Sequence, residues 1–175
     1  MQIREATIND TEVVKNIHLH AFDNSEAETV ANLAVNLLSE NSPIKIISLV
    51  AIVNKEIVGH VAFSPVFLNS TNEHFGYILA PLAVSPVYQN NKIGSAIVKH
   101  GLDTISSNGA FIVFVYGDPN YYSRFGFNTD LALKYNPPYA LQYPEGWHAI
   151  KLNSTVFPEG GTIKCANSLN HPNLW

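Results

Sequence analysis

Hydrophobic positions along this chain switch repeatedly between the 3.6-residue period of helices and unbroken apolar runs. Residues 2–7 read as a first strand. Asn9 with Glu12, and Ser25 with Glu28, have the spacing of capping boxes, each opening a helix. Val13, Val14, Ile17 and Ala21 share one face of the first helix; Val30, Ala31, Ala34, Leu37 and Leu38 form the stripe of the second. The apolar run 46–53 predicts a strand buried on both faces. The turn Asn54-Lys55 joins it to a second strand over 56–66. A polar loop over 69–74 precedes a third apolar run, 75–84. Ile93, Ala96, Ile97, Leu102 and Ile105 predict a helix over 92–107, stopped by Gly109. Residues 111–116 read as another buried strand, and Asp118-Pro119-Asn120 starts a short helix over 121–125 that ends at Gly126. Beyond Phe127 the period weakens, and Pro137, Pro138, Pro144, Pro158 and Pro172 punctuate the chain. Residues 147–152 and 160–165 read as final strands. The pattern is that of one mixed α/β domain over residues 1–175.

Composition narrows the function. Hydrophobic residues make up 46% of the chain, with nine Phe, eight Tyr and two Trp, enough for a packed core. A net charge of -4 supplies neither the basic stripe of a nucleic-acid binder nor a polybasic lipid anchor. The apolar runs are too short to span a bilayer, and the N-terminus lacks the features of a signal peptide. No nucleic-acid or membrane partner is expected, and a reducing, cytoplasmic compartment is. The single cysteine, Cys165, excludes an internal disulfide and reads as an inert buried thiol. His18 and His20, two apart on a helix, face different ways; His60 reads as buried and hydrogen-bonded, His100 as exposed. No His or Cys spacing suggests a metal. There is no Gly-x-x-x-x-Gly-Lys loop and no Gly-x-Ser-x-Gly elbow.

The chemistry concentrates between residues 77 and 102. A strand runs through Leu82, Ala83 and Val84 into Gln89, Asn90, Asn91, Lys92, Ile93, Gly94 and Ser95, then a helix. The first N–H groups of a helix have no internal partner and sit at its positive end, so this junction suits an anion. Gly94 removes a side chain where a phosphate would approach, Ser95 is small, and Lys92 could add charge. Pro81, in a strand that otherwise reads as central, cannot donate to the ladder; it predicts a bulge or splay, or else an ordinary crossover with a tolerated proline. A splay would bare main-chain groups for a ligand carrying amides and a diphosphate, as coenzyme A does.

These residues resemble motif A of the GNAT N-acetyltransferase superfamily: the triplet Leu82-Ala83-Val84 followed by Gln89, Ile93 and Gly94. Lys92 departs from the family's usual glycine, and the helical conformation expected there does not require one. A second match is Tyr122, four residues before Gly126-Phe127. The run Gly117 to Phe127, with Pro138-Tyr139-Ala140-Leu141 and Gly146-Trp147-His148-Ala149, is similar to the YhbS-like bacterial subgroup. The resemblance implies a GNAT fold: a mostly antiparallel central sheet, flanked by helices, with two splayed parallel strands holding acetyl-CoA as cosubstrate. It assigns residues 1–127 to the core and 128–175 to an extension that completes the sheet and shapes the acceptor side. Backbone groups of Leu82, Ala83 and Val84 are expected to hold the pantetheine arm, and amides from Gln89 through Asn90, Asn91, Lys92, Ile93 and Gly94 to Ser95 the diphosphate. The acceptor is an amine of a small molecule or a protein, attacking the thioester directly. Tyr122 is the expected proton donor to the thiolate, or else packs against the pantetheine. An asparagine that many relatives carry seven residues before this tyrosine is Val115 here, and Asn120 lies too close to replace it. Glu73, His74 and His148 are candidate bases, each reading by default as an exposed loop residue. The alternative function is a non-catalytic acyl-CoA sensor or interaction module on the same fold; a homodimer is compatible with either.

Overall fold

The computed structural model describes residues 1–154, 156 and 160–175; Thr155 and residues 157–159, Pro158 among them, lie outside the described residues. The chain forms two compact units, Met1–Phe63 with Ala80–Leu102, and Ser64–Leu79 with Asp103–Trp175. The strands are β1 (Gln2–Glu5), β2 (Ile47–Val53), β3 (Glu56–Leu68), β4 (His74–Val84), β5 (Ile112–Tyr116), β6 (Tyr135–Asn136), β7 (Trp147–Lys151) and β8 (Gly161–Lys164). The helices are α1 (Thr11–Ala21), α2 (Ala27–Ser39), α3 (Ile93–Ser107), α4 (Pro119–Tyr122) and α5 (Thr129–Ala132). Strand order is β1-β2-β3-β4-β5-β7, with β8 beside β3 and β6 beside β8.

In the first unit, β1, β2 and β3 pair antiparallel. Asn54 and Lys55 take φ of 50° and 72°, as a tight two-residue hairpin turn requires, and Val53 faces Glu56 across it. Both expected helix starts are corrected. Thr7 and Asp10, not Asn9 and Glu12, close the first entry. The Asp10 carboxylate accepts from Thr7 N–H (2.7 Å) and Thr7 Oγ1 (3.0 Å) while Arg4 grips it with two bonds of 2.7 and 2.9 Å. The second helix starts at Ala27 with no side-chain cap; Glu26 and Ala27 donate instead to the Asp23 carbonyl, both at 2.9 Å. Val14 of α1, Ala34 of α2 and Val50 of β2 form a fully buried cluster against Ala6 and Ile57. A Cβ on Gly101 of α3 would overlap the Phe63 ring of β3, so this mid-helix glycine sets how closely helix and strand approach.

In the second unit, β4 runs parallel to β5 from Gly76↔Ile112 to Leu79↔Val115. Among the described residues no β4–β5 pair follows, and the next peptide, Ala80–Pro81, is cis. β5 pairs antiparallel with β7. Phe114 stacks on Trp147 at 5.0 Å, and the indole N–H is shared between the Ala132 and Tyr135 carbonyls at 3.1 and 3.0 Å. The short helix begins earlier than its pattern predicts, at Pro119, because the Asp118 side chain accepts from Asn120 N–H; a 3₁₀ turn over Ser123–Phe125 follows and Gly126, φ 94°, stops it. α5, capped by the Asn128 side chain, and β6 are additions to the predicted elements. Among the described residues no helix is long and apolar enough to cross a membrane.

Candidate active site

The strand–helix junction of the first unit is braced from within. Ser85 N–H bonds the Val58 carbonyl at 2.8 Å, and Pro86–Tyr88 forms a 3₁₀ turn. The Gln89 side chain reaches back to the Val84 carbonyl (3.0 Å), and Asn91 Nδ2 donates to the Tyr88 and Gln89 carbonyls (3.2 and 3.0 Å). The Gln89 N–H is itself taken by the Pro86 carbonyl at 3.3 Å. The amides of Asn90, Asn91, Lys92, Ile93, Gly94 and Ser95 have no acceptor among the described residues, while Ala96 N–H closes the first helical bond on Lys92. Asn90 and Lys92 lie in the left-handed region at φ 63° and 61°. Left-handed residues interleaved in such a stretch swing successive N–H groups to one side, forming a concavity for an anion. The expectation that Lys92 is helical is therefore wrong. It stands outside the helix, in the conformation glycine adopts without cost, which accounts for the glycine usual in relatives. Ala83 is buried, and Leu82 and Val84 are half-buried.

In the second unit Tyr122 is buried on α4, its ring so close to Gly117 that a Cβ there would come within 2.7 Å of Cε2. Its phenol is pushed well above the ordinary tyrosine value, first by burial, then by Tyr121 and Asp118; it holds its proton throughout the physiological range. The Tyr121 and Tyr122 rings meet edge-on at 5.0 Å, and the Arg124 guanidinium sits 4.6 Å over Tyr121. Phe127 meets Tyr122 at 5.8 Å. Val115 is buried in β5, and Asn120 serves the start of α4.

Of the candidate bases, Glu73 is an exposed loop residue. His74 departs from the exposed-loop reading: it is the first residue of β4, half-buried between Phe67 (5.6 Å) and Tyr77 (5.2 Å), its pKa lowered by that burial. His148 departs from the exposed-loop reading. It is buried in β7, Nδ1 3.2 Å from Thr129 Oγ1, and Nε2 has no partner among the described residues. The flanking Trp147, Ala149 and Ile150 carried the signal: a strand apolar on both faces takes its polar residue inside as well.

His60 is buried and bonded as expected, with a partner that the sequence pattern does not reveal. Ser48 Oγ lies 2.8 Å from His60 Nε2, and His60 Nδ1 lies 2.9 Å from Nε2 of His18, itself fully buried. The line resembles a nucleophile, base and orienting group, yet it lacks a carboxylate in the third place. Burial pushes His18 down to about 4 and His60 well below its ordinary value, so neither imidazole takes a proton readily. Ser48 also lines a cavity of about 470 Å³ with Glu5, Leu37, Glu40, Lys45 and Ile46. None of the residues lining that cavity belongs to segment 82–95. Cys165 is buried, its thiol pushed up to about 12 by burial, and is inert.

The chain is similar to YjhQ of Escherichia coli K12, described as an uncharacterized N-acetyltransferase: 30% identity, covering 91% of this chain and 88% of that one. YhbS of the same organism, described likewise, is 40% identical over 73 residues, 41% of this chain and 42% of its own length. Among solved structures, E. coli YhbS in complex with CoA superposes with a TM-score of 0.82 at 24% identity, over 97% of this chain and 92% of that one. A Brucella melitensis GNAT acetyltransferase in complex with acetyl-CoA gives 0.70, also at 24% identity, over 97% of each chain. The expected mixed sheet with flanking helices is the fold these neighbours share. The model of the acetyltransferase (GNAT) domain matches residues 2–129, and the chain belongs to that family.

Proposed function

We propose that this chain moves an acetyl group from acetyl-CoA to a primary amine of a small molecule or a protein, by direct attack and without an acyl-enzyme. The observation that carries the reading is the run of six N–H groups from Asn90 to Ser95 with no acceptor among the described residues, at the start of a 15-residue helix. A diphosphate is the ligand that such a run and the helix dipole favour together. Leu82, Ala83 and Val84 offer main-chain groups to the pantetheine amides, and one N–H there polarises the thioester carbonyl. Gln89 braces the loop from behind rather than lending its own amide. Tyr122, protonated through the physiological range, gives its proton to the departing thiolate. The 128–175 extension shapes the acceptor side, and the whole chain works as one acetyltransferase domain in the cytoplasm.

Release of free CoA from acetyl-CoA, followed with a panel of polyamines, amino sugars and lysine peptides, tests the reading. Turnover with at least one amine is expected, and Tyr122→Phe should lower kcat about a hundredfold or more, the scale of a lost general acid. Tight acetyl-CoA binding with no turnover on any amine, and no effect of Tyr122→Phe, would instead mark a non-catalytic acyl-CoA sensor.

A further inference from the structure

Paired residues of neighbouring strands present side chains on a common face. Leu79↔Val115 and Val115↔His148 therefore put Leu79, Val115 and His148 in one row across the second unit, and Leu79 is the last β4 residue paired with β5. The bridge between Asn128 and Ala149, with bonds of 2.9 and 3.0 Å, turns Phe127 and Thr129 to the side of His148 and Ile150. One contact agrees: Thr129 Oγ1 is 3.2 Å from His148 Nδ1. Phe127 in turn meets the Tyr122 ring. His148 and Tyr122 thus occupy the same side of β7, at the row where parallel pairing stops.

His148 Nε2 is buried without a partner among the described residues, an arrangement that folding disfavours and that calls for a cause. Thr129, first residue of α5, is held by the cap in which Asn128 Oδ1 accepts from Leu131 N–H at 3.0 Å. With Nδ1–H donating to Thr129 Oγ1, the free lone pair of the imidazole is on Nε2. We propose that His148 Nε2 is the proton acceptor of the acetyl transfer, working through one water, and that Thr129 is the positioning residue that holds its tautomer. This rests on the amine-acetylation reading above and identifies the acceptor class as a primary alkylammonium, which must lose a proton before it attacks. Nε2 takes that proton. The amine nitrogen forms the N–C bond, and the C–S bond breaks. The Tyr122 phenol proton goes to sulfur, the second amine proton returns to the tyrosinate, and the imidazolium discharges to solvent. Ammonium and thioester become amide, thiol and one released proton.

The test compares benzylamine, protonated at neutral pH, with methoxyamine, neutral there, as acceptors. His148→Gln should lower kcat for benzylamine about a hundredfold or more and leave methoxyamine unaffected. Thr129→Val should shift the ratio the same way, and Thr129→Ser should restore it. Equal losses for both amines, or no loss for either, would overturn the assignment. Nitrogen NMR of the free protein adds an arm independent of turnover. His148 should carry its proton on Nδ1 and lose that preference in Thr129→Val; a proton on Nε2 in the unaltered protein would overturn the proposal. Calorimetry with CoA separates the two levels. Unchanged CoA affinity in His148→Gln confines any failure to His148, whereas absence of CoA binding by the unaltered protein defeats the acetyl-CoA reading itself.

Discussion

Lys92 sits at φ 61°, where an L-residue brings its Cβ against the following carbonyl oxygen. The conformation costs about 1 kcal/mol and is kept because it aims the neighbouring N–H groups. Lys92→Gly should therefore raise stability by up to about 1 kcal/mol, or about 2–4 °C in Tm, whereas Lys92→Ala, which removes the same charge but keeps Cβ, should not. Thermal melts of the two variants check this. A second residue-scale consequence concerns His18 and His60, which the fold holds neutral. Unfolded histidines take up protons near pH 6.5, and the folded ones resist until about 4 in the case of His18. Between those limits the unfolded chain binds more protons, so stability is full above pH 6.5 and falls as pH falls. Urea unfolding should lose about 2 kcal/mol from His18 alone between pH 7.5 and 5. A flat profile across that window would show that the folded histidines take up protons as readily as the unfolded ones.

Elements were legible where period and punctuation agreed. The run 46–53, the Asn54-Lys55 turn and the stop at Gly109 appear as β2, its hairpin and a left-handed residue at φ 81°. Helix starts were less legible, because Thr7 with Asp10 and Asn9 with Glu12 share the same three-residue spacing, which cannot choose between them, and the α2 entry rests on a backbone carbonyl. α5 and β6, of four and two residues, are too short to show a period. Gly101 illustrates a signal present but unread: glycine inside a helix costs about 1 kcal/mol, so it implies a close approach. Gly101→Ala should lower stability by about 1–3 kcal/mol despite the better helix former, because the buried Phe63 ring must move; denaturant midpoints would show it. At the other end of α3, Gly94→Glu places a carboxylate among the amides proposed for the diphosphate. CoA affinity by calorimetry should collapse while the fold persists.

At the scale of the molecule, the family was readable from Leu82-Ala83-Val84, Gln89, Gly94 and Tyr122, because those positions are tied by local geometry that spacing records. What spacing cannot record is pairing between distant segments. Thr129 against His148, and Ser48 against His60 and His18, join residues that only the folded sheet brings together. The left-handed turn at Lys92 was hidden for a different reason: the residue type there argues against the conformation it adopts. Backbone amide NMR during a titration with CoA tests the central claim most directly. The account predicts that the largest shifts fall on the amides from Asn90 to Ser95. Saturable binding that leaves those six amides unmoved and shifts others would contradict it.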